Sequence, residues 1–302
     1  MTKSCHDIDL LLWLLCSPLN AADKPHLPSK ITSSGGLQYF HKGSKPLAAG
    51  NATNCLSCDH ESSCKYSAKK IYLGHSFPGL NSGNTEWPID VLVPDIEDCI
   101  RTNGLKAGET AVLERLKEVY DGGVAASDIA RRPWFGRCVY ESDNDVCDNQ
   151  TVTLTFDGTG SIDGNIIGGK TATFNMVALT KKVCERYTNI SGTEGEIYAD
   201  SSSISVYDFN TGKEKTYYPH VAEGGHGAGD GVLARQFILA IDQVKNHGKK
   251  VSDAQIEYIG CSIEEIVRSH AVVFAAEEAR KQKAVVDFPS WWEREVEAKL
   301  DG

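Results

Sequence analysis

The sequence predicts an α+β fold, a large, mainly antiparallel open sheet with helices covering one face. Three observations predict it: helical spacing of apolar residues up to Tyr120, alternation of apolar and polar residues between Gly136 and Pro219, and helical spacing again in the last third. Strands joined by short turns pair antiparallel, and a run of them flanked by helices buries one sheet face.

Each element has its own warrant. Ile8, Leu11, Leu12 and Leu15 recur at helical spacing from the sixth residue on, and Ser17-Pro18 stops that helix because the residue before proline avoids the α region. Ile31 to Phe40 reads as a strand interrupted by Gly35-Gly36, followed by a polar loop at 51–66 that holds three cysteines and by a short helix from Lys65 to Leu73. Pro94-Asp95 opens a helix that Gly104 closes, and Val112, Leu113, Leu116 and Val119 make the next one amphipathic. Val152, Leu154 and Phe156 lie on one face of a strand, and Ala172, Phe174 and Met176 on one face of the next. Strands at Glu185 to Ile190, Glu196 to Ala199, Ser203 to Phe209 and Lys213 to Tyr218 follow, with Gly-rich turns between them. Gly231 to Asn246 is helical. A last long helix is expected to start with a capping box at Ser252 and Gln255 and to carry Ile256, Ile259, Ile263, Ile266 and Val267 inward. Cys138 and Cys184 fall in strand-like stretches and read as core residues.

The 302 residues carry 31 Lys plus Arg against 41 Asp plus Glu, a net charge of −10. That balance argues against non-specific binding of nucleic acid or anionic membranes, which takes clustered basic residues. The longest apolar run is Leu10 to Cys16, far short of the roughly 20 residues of a spanning helix. Asp7 and Asp9 beside it also make a poor basic flank for a signal peptide. A cytoplasmic protein with mostly reduced thiols is expected, and no membrane or nucleic-acid partner.

Two constellations could carry chemistry. Lys3, His6 and Asp9 share one face of the first helix: an imidazole, a carboxylate to orient it and an ammonium to hold an oxygenated substrate suit proton transfer. The plain alternative is that His6 packs or caps while Asp7 and Asp9 complement the helix N-terminus. The second is Cys55-x2-Cys58-x5-Cys64, whose short first spacing suits a structural zinc site. Its fourth ligand would be His60 or a distant cysteine such as Cys99 or Cys5, and free thiols or a disulfide are the competing readings. The glycine-rich loop Gly225-His226-Gly227-Ala228-Gly229-Asp230 lacks the glycine spacing of a dinucleotide fingerprint and opens a helix instead. Its His226 and Asp230 are candidate substrate contacts.

The string His6-Asp7-Ile8-Asp9-Leu10-Leu11-Leu12-Trp13-Leu14 resembles the start of the second domain of the Gfo/Idh/MocA oxidoreductases. Cys64-Lys65-Tyr66-Ser67-Ala68, Gly136-Arg137-Cys138-Val139-Tyr140, Asp143-Asn144-Asp145-Val146, Gly192-Thr193-Glu194-Gly195-Glu196 and Gly224-Gly225-His226 follow in that family's order. The resemblance implies that residues 1–302 form a single C-terminal domain of that type, which binds substrate and mediates oligomerisation. It also implies a preceding Rossmann domain for NAD or NADP, of which no fingerprint stands in these residues. By the same resemblance His6 falls on the active-site histidine and Asp9 on the acidic residue three positions later, while Thr2, beside Lys3, stands where many relatives carry aspartate. The implied activity is oxidation of a CH–OH group of a sugar, cyclitol or related polyol, not competent without a nucleotide domain. The implied partners are further copies of the chain or a separate Rossmann chain. A non-catalytic ligand-binding or assembly module is the alternative.

Overall fold

A computed structural model describes residues 4–17, 24–74, 78–119, 125, 127, 131, 133–141, 145–162, 165–181, 185–220 and 229–300. Lys3, His226 and Cys184 lie outside the described residues. The chain forms two compact units, one made of residues 1–34 with 150–302 and the other of residues 35–149.

The first unit opens with helix α1 (Ser4–Cys16), whose Ile8, Leu12 and Cys16 are buried one turn apart. Burial raises the Cys16 thiol to about 11, offset only in part by the positive charges of Lys170 and Arg268, so Cys16 acts as a small core hydrophobe. Strand β1 (Lys30–Gly36) follows, with Ile31 completely buried. The chain then builds the second unit from short helices: α2 (Ala68–Tyr72), α3 (Ile89–Leu92), α4 (Ile96–Asn103) and α5 (Leu105–Leu116). Gly104, at φ 82°, ends α4 and lets α5 begin at the next residue, a left-handed conformation that glycine adopts without a Cβ penalty. Leu80, Ile89, Leu92, Ile96, Val112 and Leu116 make this unit's core.

The chain returns by β2 (Asn149–Phe156), a hairpin of β3 (Thr159–Ile162) and β4 (Asn165–Ile167), and β5 (Lys170–Val177). Val152, Leu154 and Phe156 are buried as their alternation requires. Four strands then run as an antiparallel meander, β6 (Thr188–Ser191), β7 (Gly195–Ala199), β8 (Ile204–Asp208) and β9 (Lys213–Tyr217), with Ile197 opposite Val206 and Ile204 opposite Tyr217. Helix α6 (Gly229–His247) is followed by α7 (Val251–Ala254), a π turn at Gln255–Ile259 and α8 (Ile263–Gln282). Strand β10 (Val286–Asp287) pairs with β1, Ile31 opposite Val286, and completes a sheet in the order β10-β1-β2-β5. Helix α9 (Phe288–Trp292) stacks Trp291 on Phe288, ring planes 11° apart, and α10 (Ala298–Leu300) ends the described chain.

The α+β expectation with an open antiparallel sheet therefore holds, with two four-stranded sheets among the described residues. The last helix departs from expectation. Gly260, at φ 85°, interrupts the path, and the capping box is formed by Ser262 and Glu265: the Glu265 N–H donates to Ser262 Oγ at 3.2 Å and the Ser262 N–H to Glu265 Oε2 at 2.6 Å. Ile256, Ile263, Ile266 and Val267 face outward, and α8 instead buries Ser269, Ala271, Val272, Ala275, Ala276 and Ala279. Small side chains let α8 approach α1 and the sheet closely, and this closeness outweighs the greater apolarity of the isoleucines. Among the described residues no helix is long and apolar enough to cross a membrane.

Candidate functional site

The first turns of α1 carry the predicted proton-transfer pair. His6 and Asp9 are both exposed and three residues apart, so they share a face that adjoins the stripe of Ile8 and Leu12, which the core holds. Between them Asp7 is half-buried and accepts from Arg186 Nε at 2.5 Å, an ion pair that ties α1 to the segment before β6. Cys261, between the π turn and α8, lies close enough to Asp9 to feel its charge: burial first, then Glu265 and Asp9, push its thiol up. Asp230 is exposed in the first turn of α6, on a separate helix. Its expected companions Lys3 and His226 are not among the described residues.

The cysteine loop lies in the other unit. Asn54, fully buried, organises it: Nδ2 donates to the carbonyls of Leu116 at 2.9 Å and Glu118 at 3.0 Å, while Oδ1 accepts from the Leu56 N–H at 2.8 Å. Asn54 also bridges Arg137 antiparallel, flanked by Cys55 N–H to Gly136 O and Cys138 N–H to Thr53 O, both 2.8 Å. A Cβ on Gly136 would stand 2.0 Å from the Leu116 carbonyl oxygen, so only glycine admits this approach. Cys138 is therefore no strand residue of the core; it follows an isolated bridge, is half-buried, and faces a cavity of about 20 Å³ that Cys55, Cys58 and Cys64 also line. Among the described residues no three His, Cys, Asp or Glu side chains converge on a single ligation point, and the nine described cysteines are free thiols.

An aromatic cluster with no counterpart in the sequence motifs stands beside the loop. Tyr39, Phe40, Tyr66 and Tyr140 meet at ring separations of 5.1–6.4 Å, and the Lys65 ammonium stands 5.1 Å from the rings of Tyr39 and Tyr66. The Tyr140 hydroxyl donates to Tyr39 at 3.1 Å and, with Lys65, holds the Tyr39 phenol below its usual range. Asp148 fixes the backbone here, its carboxylate accepting the N–H groups of Gln38, Tyr39 and Phe40 at 2.7–3.0 Å. Burial opposes that charge, but the three donors prevail and keep the carboxyl below the ordinary carboxylate range. No periodic signal marks such a cluster, because its members are separated by up to 101 residues.

A cleft of about 870 Å³ runs along α8 and the helices after it, with Phe274 and Trp291 in its wall and Glu277 and Lys281 among its charged residues. None of the expected site residues lines it. The strand pairs of the described residues are antiparallel, whereas a dinucleotide fold uses a parallel βαβ unit. No protein-family model matches the chain, and no curated protein matches it.

Proposed function

We propose that this chain is the substrate-binding and oligomerisation part of a cytoplasmic dehydrogenase that oxidises a CH–OH group of a sugar, cyclitol or related polyol. NAD or NADP would be held by a nucleotide-binding domain in company with it. The observation that supports this reading is the start of α1, where His6 and Asp9 are both exposed on a helix that the buried Ile8, Leu12 and Cys16 anchor. A proton-transfer pair needs such an arrangement, open to substrate on one side and rigid on the other. In this reading the His6 imidazole accepts the substrate hydroxyl proton, the Asp9 carboxylate favours the imidazolium that results, and Lys3, His226 and Asp230 bind neighbouring hydroxyls. Hydride acceptance would fall to NAD or NADP held by the nucleotide-binding domain.

The assembly half of the proposal rests on β6–β9. No residue of these strands is fully buried, yet Ile190, Ile197, Ile204, Val206 and Tyr217 share one face by register. An apolar sheet face of this kind suits burial against another copy of the chain. The same observation favours the second reading, a non-catalytic assembly module, and one experiment separates the two. NAD(H) and NADP(H) binding is measured by calorimetry on the whole chain alone and after addition of a Rossmann domain of the resembled family, with polyol oxidation followed in the mixture. Binding and turnover on mixing support the dehydrogenase reading. Absence of both leaves only the assembly module. A strictly monomeric chain in sedimentation contradicts the assembly half.

A further inference from the structure

We propose that Cys55, Cys58, Cys64 and Cys138 bind one zinc ion as a structural tetrathiolate site that ties the 51–66 loop to the segment after Gly136. The four cysteines line a single cavity of about 20 Å³. That is room for one water-sized sphere, the scale of a single ion and too small for a cluster of several metals.

Three local structures bring the thiols there. Cys55 starts a tight turn that Cys58 ends, its N–H donating to the Cys55 carbonyl, and Cys64 ends the next turn with its N–H on His60 and Glu61 carbonyls at 3.0 and 3.1 Å. Cys138 arrives from 74 residues beyond Cys64, placed by the bridge between Asn54 and Arg137 and by the close approach that Gly136 permits. Backbone amides also face the sulfurs: the Ala68 N–H is directed at Cys55 and the Tyr140 N–H at Cys138. Such N–H donors favour the thiolate form that ligates metal. On binding a divalent cation each ligating thiol would release its proton to solvent as it becomes a thiolate.

Among the described residues the sulfurs ring the cavity without meeting at one point. A cysteine has a single side-chain torsion with staggered wells, so closing the set on an ion calls for side-chain turns. Cys99 and Cys5 do not line the cavity, whereas Cys138 does, and we take it as the fourth ligand ahead of His60, which lines the same cavity and hydrogen-bonds Ser63 Oγ through Nδ1 at 2.9 Å.

The test uses the full chain purified under reducing conditions. Elemental analysis is expected to find about one zinc per chain. Four of the ten thiols should then resist a thiol reagent until a chelator removes the metal. Cys138→Ser is expected to lower the retained zinc at least tenfold after dialysis against a weak chelator, and His60→Ala to leave it unchanged. Should Cys138→Ser fail to fold, the cobalt(II)-loaded wild-type chain decides, since its sulfur-to-metal charge-transfer intensity reports the number of thiolate ligands: four supports the proposal and three overturns it. Ten freely reactive thiols with no metal, a disulfide within the set, iron with acid-labile sulfide, or undiminished zinc in Cys138→Ser each overturn it.

Discussion

Replacing Asn54 by alanine is expected to destabilise the 35–149 unit by about 3 kcal/mol, and the magnitude comes from its hydrogen bonds. The side chain is completely buried and makes three: two from Nδ2 to the carbonyls of Leu116 and Glu118, at 2.9 and 3.0 Å, and one from the Leu56 N–H to Oδ1, at 2.8 Å. Each contributes about 1 kcal/mol net, and a buried partner left unpaired costs about 1–3 kcal/mol. Leu116 is the last residue of α5, where carbonyls have no partner within the helix, so its oxygen loses a bond that the helix does not replace. Three kcal/mol corresponds to a change of roughly 150-fold in an equilibrium constant. Hydrogen exchange read by mass spectrometry locates the effect: amides at 53–57, 112–118 and 136–140 should lose protection by about two orders of magnitude, while α1 and the β10-β1-β2-β5 sheet keep theirs. The isosteric Asn54→Asp sharpens the test. It keeps the acceptor for Leu56 but turns oxygen toward two carbonyls, so the folded carboxyl pKa rises above its unfolded value near 4. The variant is then least stable at neutral pH and recovers stability as pH falls through the raised folded value. A change below about 0.5 kcal/mol in Asn54→Ala, the scale of an ordinary surface substitution, would refute the reasoning, as would protection lost evenly along the chain.

Asp148→Asn removes a carboxylate held by three backbone donors and should cost about 1–3 kcal/mol at neutral pH. Because that carboxyl is held low, its contribution is complete above the unfolded carboxylate range and vanishes as pH falls through the folded value; urea melts between about pH 2 and about pH 7, on either side of the usual carboxylate range, should show a flatter acid limb in the variant. Ala275→Leu, inside the contact of α8 with the core, is expected to cost about 1–3 kcal/mol or more by overpacking, whereas Ile263→Ala on the outward face should stay within about 0.5 kcal/mol, as measured by chemical denaturation. His6→Ala should abolish turnover in a reconstituted enzyme with an unchanged circular dichroism spectrum and melting point, since the residue is exposed. Gly136→Ala must displace the Leu116 carbonyl or the Asn54 side chain, and should lower both the melting temperature and the zinc retained by the chain.

Elements that bury one stripe or one face were legible before the fold. Of the predicted stripe Ile8, Leu11, Leu12 and Leu15, Ile8 and Leu12 are buried and the other two partly so, and Val152, Leu154 and Phe156 alternate in one strand, because burial imposes the period of the local backbone on the chain. The alanine face of α8 was not legible in the same way. Hydropathy ranks Ile263 and Ile266 above Ala275 and Ala279, and only the distance between packed elements reverses that order. The candidate site divides along the same line. His6 and Asp9 were readable as a pair because helical spacing alone puts them on one face, and the 55–64 cysteines because short turns keep them together.

By itself, then, the sequence determined the class of fold, the helix that presents His6 and Asp9, and a compact cysteine loop, all of which depend on neighbours within a few residues. Tertiary structure alone decided which face of α8 is buried, that Cys138 joins Cys55, Cys58 and Cys64, and that Tyr39, Tyr66, Tyr140 and Lys65 meet. The first depends on how closely α8 packs on α1 and the sheet, the other two on segments far apart in the chain, joined through Asn54, Gly136 and Asp148, and none of these contacts leaves a period in the sequence to be read.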